Sequence, residues 1–176
     1  MPRRAHEFTS GKVLHLIAPS ARAAVAGDGD LSVMATLNYD DFLEFLDGLL
    51  RSLQGADTHG LLYVAPHRLD LEGSSLMHDM TSHLGACDRL THTLDGHPLM
   101  FIQNTTIDAA LRLTRLVRYA FEHVRSDGDD RTAAFGLVLF ENPKKTAPEL
   151  ITIARDAAKA ADTTARNRIQ LVHLTG

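Results

Sequence analysis

The pair Asp95-Gly96 lies between two apolar runs, Leu90–Leu94 and Pro98–Ile102. It is a dipeptide strongly favoured in two-residue hairpin turns, so a β-hairpin is expected with its turn at 95–97. The chain holds ten histidines, and imidazole is a common ligand of zinc-type metals. His92 and His97 flank the turn, while His78 and His83 stand five apart on one expected helix and so on different faces. No His-x-x-x-His or His-x-x-Glu-His string occurs. The histidines therefore read as solvated or hydrogen-bonded, and neither a metal nor a cofactor is expected. Cys87 has no second cysteine to pair with and reads as a small buried residue. Arg112, Arg115 and Arg118 recur every three residues opposite an apolar stripe, which describes a solvated face or, alternatively, a docking surface. Lys144-Lys145 precedes an expected helix N-terminus, a place that can hold an anion, but an exposed loop is the simpler reading. Gly27-Asp-Gly-Asp30 lacks the further ligands and closing glutamate of a calcium loop.

The chain that positions these groups has 176 residues, 44% hydrophobic and 23% charged, which suits one globular domain with its own core. A single cysteine excludes an internal disulfide. The net charge of −4 offers no basic field to nucleic acid or anionic lipid. No apolar run is long enough to cross a bilayer and the N-terminus lacks a signal-peptide core, so a cytoplasmic location is expected, without nucleic acid and without membrane insertion.

Residues 1–30 read as a leader and linker, with Lys12–Ala18 as a short strand ended by Pro19, and the domain proper as 31–176. Asn38 can cap a first helix, with Asp40 and Asp41 at the positive end of its dipole. Phe42, Phe45, Leu46, Leu49, Leu50 and Leu53 give that helix one apolar stripe. Gly60–Ala65, a solid apolar run before Pro66, suits a central strand buried on both faces. Ser74 or Ser75 opens a second helix with Leu76, Met77, Met80 and Leu84 on its apolar side. After the hairpin, Thr105 or Thr106 opens a helix with Ile107, Ala110, Leu111, Leu113, Leu116, Val117, Ala120, Phe121 and Val124 as apolar positions. Thr132–Phe140 reads as a buried strand, Thr146 as the cap of a last helix whose face is Leu150, Ile151, Ala154, Ala157, Ala158 and Ala161, and Arg168–Val172 as a closing strand. The order α-β-α-β-β-α-β-α-β predicts an α/β (α+β) class: a central mixed five-stranded sheet flanked by helices.

This order and four strings together resemble the GGDEF, or diguanylate cyclase, family. Leu31–Leu46 (LSVMATLNYDDFLEFL) is similar to its entry segment D-x-L-T-G-L-x-N-R-x-x-F, keeping Asn38 and Phe42. Leu61–Leu69 (LLYVAPHRL) takes the place of LLLLDxDxFK, and Thr93–Ile102 (TLDGHPLMFI) that of RxGGDEFxxL. Ala154–Val172 follows ADxALYxAKxxGRNRVxxY, most clearly at Ala165-Arg-Asn-Arg168. The resemblance implies a nucleotidyl-cyclase, ferredoxin-like fold, and a family chemistry that joins two GTP molecules into cyclic di-GMP with the help of Mg²⁺.

Carried over position by position, the resemblance places the metal-binding aspartate of the central strand on Ala65 and the acidic signature residues on His97 and Pro98, within the turn Asp95-Gly96-His97-Pro98-Leu99. The phosphate-binding lysines fall on Asp70 and Asp162, leaving Arg166 as the residual phosphate contact, although an arginine at a helix end also caps carbonyls. The guanine-reading pair falls on Gly73 and Ser82, and Gly85 stands where the product-inhibition motif has arginine. The resulting expectation is a domain that is not an enzyme: a regulatory or interaction module of a bacterial cyclic di-GMP signalling protein, partnered by a neighbouring EAL or sensory domain or by a second copy. Receptors controlling type IV pili or biofilm adhesins carry domains of this kind. The alternatives are a GTP-binding allosteric module and an active cyclase with rearranged ligands.

Overall fold

An eight-residue strand without a single charged side chain, β1 (His59–Pro66), forms the middle of the molecule. The computed structural model describes residues 36–53, 57–66, 80, 88–123, 132–164 and 168–175. Within them lie α1 (Tyr39–Ser52), β1, β2 (Arg89–His92), β3 (Pro98–Ile102), α2 (Ile107–His123), β4 (Ala133–Phe140), α3 (Ala147–Thr164) and β5 (Ile169–Leu174). The sheet order is β2-β3-β1-β4-β5, with β4–β5 parallel and the other three pairings antiparallel. The parallel pair needs a long crossover, and α3 supplies it. This is the expected mixed five-stranded sheet. The leader with its strand 12–18, most of the second helix, Cys87, His78, His83 and Arg166 lie outside the described residues; Met80 of that helix is helical and fully buried.

Alternation along β1 divides the core in two. Leu61 and Tyr63 point to the side covered by α1 and α3, among Phe42, Leu46, Leu99, Phe101, Val138 and Ala158. Leu62 and Val64 point to the side covered by α2, among Met100, Leu137, Val117 and Phe121. The helix α3 packs against β4 closely enough that a methyl at Gly136 would collide with the Ala154 carbonyl oxygen and lie 2.6 Å from Ala158 N. All six predicted face positions of α3 are buried.

The helix ends follow their sequence signals. The Asn38 side chain accepts from Asp41 N–H at 2.8 Å, with Asp40 and Asp41 in the first turn of α1. The Thr106 hydroxyl accepts from Ala109 N–H at 3.2 Å and starts α2. Thr146 opens α3, its N–H and hydroxyl both donating to Glu149. Asp47 of α1 accepts from Ala147 N–H at 2.9 Å, so one helix also caps another.

Four expectations are corrected. The central strand begins one residue earlier, at His59, and the closing strand runs on to Leu174. On α2, Ile107 and Leu116 are 42% and 50% exposed, because the inward stripe runs through Ala110, Thr114, Val117 and Phe121. Thr114 tolerates burial since its hydroxyl donates to Ala110 O at 2.8 Å, and Leu116 lies off that face. The hairpin loop sits at 94–96, one residue before the expected 95–97: Leu94, Asp95 and Gly96 lie between Thr93 and His97, whose backbones pair at 2.9 Å. Gly96 N–H donates to Thr93 O at 2.8 Å, and Gly96 takes the left-handed conformation (φ 80°) that closes such a loop.

Candidate functional site

The register Tyr63↔Leu99 and Ala65↔Ala134 brings the hairpin loop, the end of β1 and the start of β4 to one end of the sheet. The structure thus gathers Ala65, Asp95, Gly96, His97, Pro98 and Leu99 in one region, as the sequence implied. Pro98 and Leu99 are buried sheet residues, Leu99 on the α1/α3 side. Ala65 is half-buried.

The loop is held by polar side chains. The Thr93 hydroxyl accepts from His97 N–H at 3.1 Å and donates to one oxygen of the Asp95 carboxylate. The other Asp95 oxygen accepts from the Tyr63 hydroxyl at 3.1 Å. That hydroxyl also lies 2.6 Å from His97 Nδ1, with the two rings edge to face. His97 Nδ1 and Asp95 Oδ2 are 3.7 Å apart. Tyr63 itself is 1% exposed, so its hydroxyl carries an outer loop into the core.

The charges follow from these contacts. Burial pushes the Tyr63 phenol above its ordinary range, and the Asp95 carboxylate beside it adds to the rise. For Asp95, burial acts to raise the carboxyl; the Thr93 hydroxyl, His97 and the Tyr63 hydroxyl outweigh it and hold the group below its usual range. Tyr39, at the start of α1, is raised by burial and by Asp95, against the opposing charge of Arg155 on α3. The Asp95 carboxylate is turned onto Thr93 and Tyr63. Tyr63, Thr93 and Arg155 were not legible as site residues. The available signal was a phenol inside an otherwise aliphatic strand, since a buried Tyr hydroxyl needs a partner.

Among the described residues no group of three His, Cys, Asp or Glu side chains could hold a metal ion. At the hairpin, Asp95 is the carboxylate, and each of its oxygens already receives a hydroxyl proton. The described residues by themselves do not fit the Mg²⁺ site implied by the resemblance, since Mg²⁺ seeks free carboxylate oxygens. Of the other polar candidates, Arg112 and Arg115 are exposed, and Arg118 lies 3.7 Å from Glu122. Lys144 and Lys145 are exposed in their loop. No helix among the described residues is long and apolar enough to cross a membrane.

No family model matches the sequence, and no curated protein matches it. Solved structures do. The diguanylate cyclase SiaD of Pseudomonas aeruginosa, in complex with its activator SiaC, superposes with a TM-score of 0.66 at 17% identity over 77% of this chain. An N-terminally truncated PA1120 (TpbB or YfiN) of the same organism, comprising only the GGDEF domain, gives a TM-score of 0.67 at 17% identity and covers 81% of this chain and 92% of its own. The chain has the fold of a GGDEF domain. An EAL/GGDEF domain protein from M. capsulatus shares that GGDEF fold with a TM-score of 0.57 at 10% identity, over 70% of this chain and 92% of that one. The chain spans 58% of the SiaD structure.

The comparison corrects one expectation. The sequence pointed to a domain that is not an enzyme, but the GGDEF fold found here is that of diguanylate cyclases, which are enzymes. That expectation rested on the combined replacement of family positions at Ala65, His97, Pro98, Asp70, Asp162, Gly73 and Ser82. At the hairpin, Asp95 and His97 are hydrogen-bonded to Tyr63 of the central strand.

Proposed function

We propose that this chain is the GGDEF domain of a bacterial cyclic di-GMP signalling protein, and that the end of the sheet where the hairpin loop meets β1 takes a guanine nucleotide. The observation that carries this reading is the polar hairpin network lying at the end of the central strand of a GGDEF fold. Titration calorimetry with GTP and Mg²⁺, followed by chromatography of the nucleotides, tests it. Micromolar binding, with or without cyclic di-GMP as product, supports the reading. The absence of both binding and product overturns it.

A second reading, that the domain passes a signal between the hairpin and a neighbouring module, is favoured by one contact. Leu37 N–H donates to Leu90 O at 2.8 Å, and Thr36 bridges to Leu90, so the chain entering α1 is tied to the first strand of the hairpin. A displacement of that entry strand therefore reaches the loop through one short hydrogen-bonded link. SiaD was solved with an activator bound and the M. capsulatus protein combines EAL with GGDEF, so an EAL domain, a sensory domain or a second copy of this chain suits the role. Leu37→Pro deletes the donor. In the full-length protein it is expected to uncouple nucleotide binding from the neighbouring module while leaving GTP affinity within about twofold, and unchanged coupling would refute this reading.

A further inference from the structure

The contacts of the hairpin network decide which nitrogen of His97 carries the donated proton. The Tyr63 hydroxyl has one proton and two neighbours, Asp95 Oδ2 at 3.1 Å and His97 Nδ1 at 2.6 Å. The Asp95 carboxyl is held below its usual range, so near neutrality it is ionised and only accepts. If Tyr63 gave its proton to His97, the phenol oxygen and the carboxylate oxygen would face each other at 3.1 Å with no proton between them. Both contacts become hydrogen bonds in one arrangement only. Tyr63 donates to Asp95, and His97 donates from Nδ1 to the Tyr63 oxygen. The proton of Thr93 completes the chain on the second carboxylate oxygen.

We infer that Asp95 and Tyr63 act as positioning residues that keep a proton on His97 Nδ1, directed at the Tyr63 oxygen, so that in the neutral ring the Nε2 lone pair is the acceptor presented at the hairpin. The ring has little freedom to do otherwise. His97 N–H is bonded to the Thr93 hydroxyl, the His97 carbonyl is paired with Thr93 N–H, and the imidazole stands edge to face on Tyr63 with centroids 5.4 Å apart. The His97 side chain keeps 20% of its surface exposed, which leaves a route to Nε2. The Nε2 acceptor of the neutral ring, so oriented, selects a hydrogen-bond donor and not a hard cation. The matching ligand chemistry is an O–H or N–H group of a small molecule, such as the sugar hydroxyls or base amide of a nucleoside. That last assignment rests on the nucleotide reading proposed above; the tautomer does not.

Nitrogen-15 NMR of the ring nitrogens at neutral pH tests the two parts separately. In the ligand-free protein His97 is expected to show a protonated Nδ1 and a bare Nε2. Tyr63→Phe keeps the ring packing and should let His97 move toward the Nε2–H tautomer. If the variant does not fold, the wild-type spectrum alone decides. A wild-type spectrum with Nε2–H overturns the inference whether or not GTP binds. On addition of GTP the Nε2 resonance is expected to shift, and Tyr63→Phe to weaken binding about fivefold, the range of one net hydrogen bond. GTP binding that leaves Nε2 unmoved overturns the ligand contact while the nucleotide reading stands. An Nδ1–H tautomer with no GTP bound overturns the nucleotide assignment alone.

Discussion

At the scale of single residues, Tyr63 decides more than any signature position. Its hydroxyl links the outer loop to the core side of α1 and α3. Removing it as Tyr63→Phe leaves the Asp95 carboxylate and His97 Nδ1 without their shared partner. The expected cost is about 1–2 kcal/mol of folding stability, read from the midpoint of urea unfolding. The same variant should let the Asp95 carboxyl rise toward its ordinary value, observable by carbon-13 titration; an unmoved Asp95 would mean that Thr93 and His97 hold it alone. The sequence showed that Asp95-Gly96 makes a turn, because that preference is local. It did not show where the Asp95 side chain goes, because the deciding phenol stands 32 residues earlier in the chain.

At the scale of elements, the ends and faces were legible because their signals lie within one turn. Asn38 is the clearest case: its side-chain oxygen takes the Asp41 amide, and its side-chain nitrogen donates back to the Asp41 carboxylate at 2.6 Å. Asn38→Ala is expected to destabilise the protein by about 1 kcal/mol, measured by chemical denaturation, with the loss confined to amide protection in the first turn of α1. The contact of α3 with β4 was visible in outline as an alanine face, but not its closeness. Gly136 carries no turn or positive φ signal; its need arises from the backbone of α3 lying against it. Gly136→Ala meets backbone atoms and not a flexible side-chain end, so α3 must shift bodily. A loss of about 1–3 kcal/mol is expected, and a variant as stable as the wild type would show that the helix slides at little cost. The exposed Leu116 was missed for a different reason. Periodicity counts Leu as apolar and Thr as polar, whereas Thr114 hides its hydroxyl within its own helix and takes the inward place.

At the scale of the whole molecule, the two core sides are joined through one sheet, and His59 sits where acid can reach their joint stability. It is 2% exposed at the start of β1, between the rings of Phe101 and Phe140 at 5.7 and 5.8 Å. Its Nδ1 accepts from Asn104 N–H at 3.4 Å, and its Nε2 is buried without a hydrogen-bond partner. Burial holds the imidazole below its ordinary 6.5, against the weaker opposing charge of Asp57. The half-buried His92 is lowered by burial as well. A histidine lowered in the folded state contributes its full share of stability above the unfolded value near 6.5. As pH falls below that value the unfolded chain takes up a proton that the folded protein refuses, so stability declines until the folded value is passed. For His59 the decline reaches about 1.4 kcal/mol per pH unit at most, and His92 adds less because solvent screens it. Asp95 acts in the same direction only at lower pH: its carboxyl is depressed in the folded state, so its share is present above about 3.8 and lost as pH falls through the folded value. Urea unfolding at pH 7.5, 6.0 and 5.0 is therefore expected to show a falling midpoint in the wild type. His59→Gln, which keeps an acceptor for the Asn104 amide but does not titrate, should give a flatter profile. Parallel profiles for the two proteins would mean that the buried imidazole does not carry the acid sensitivity of this fold.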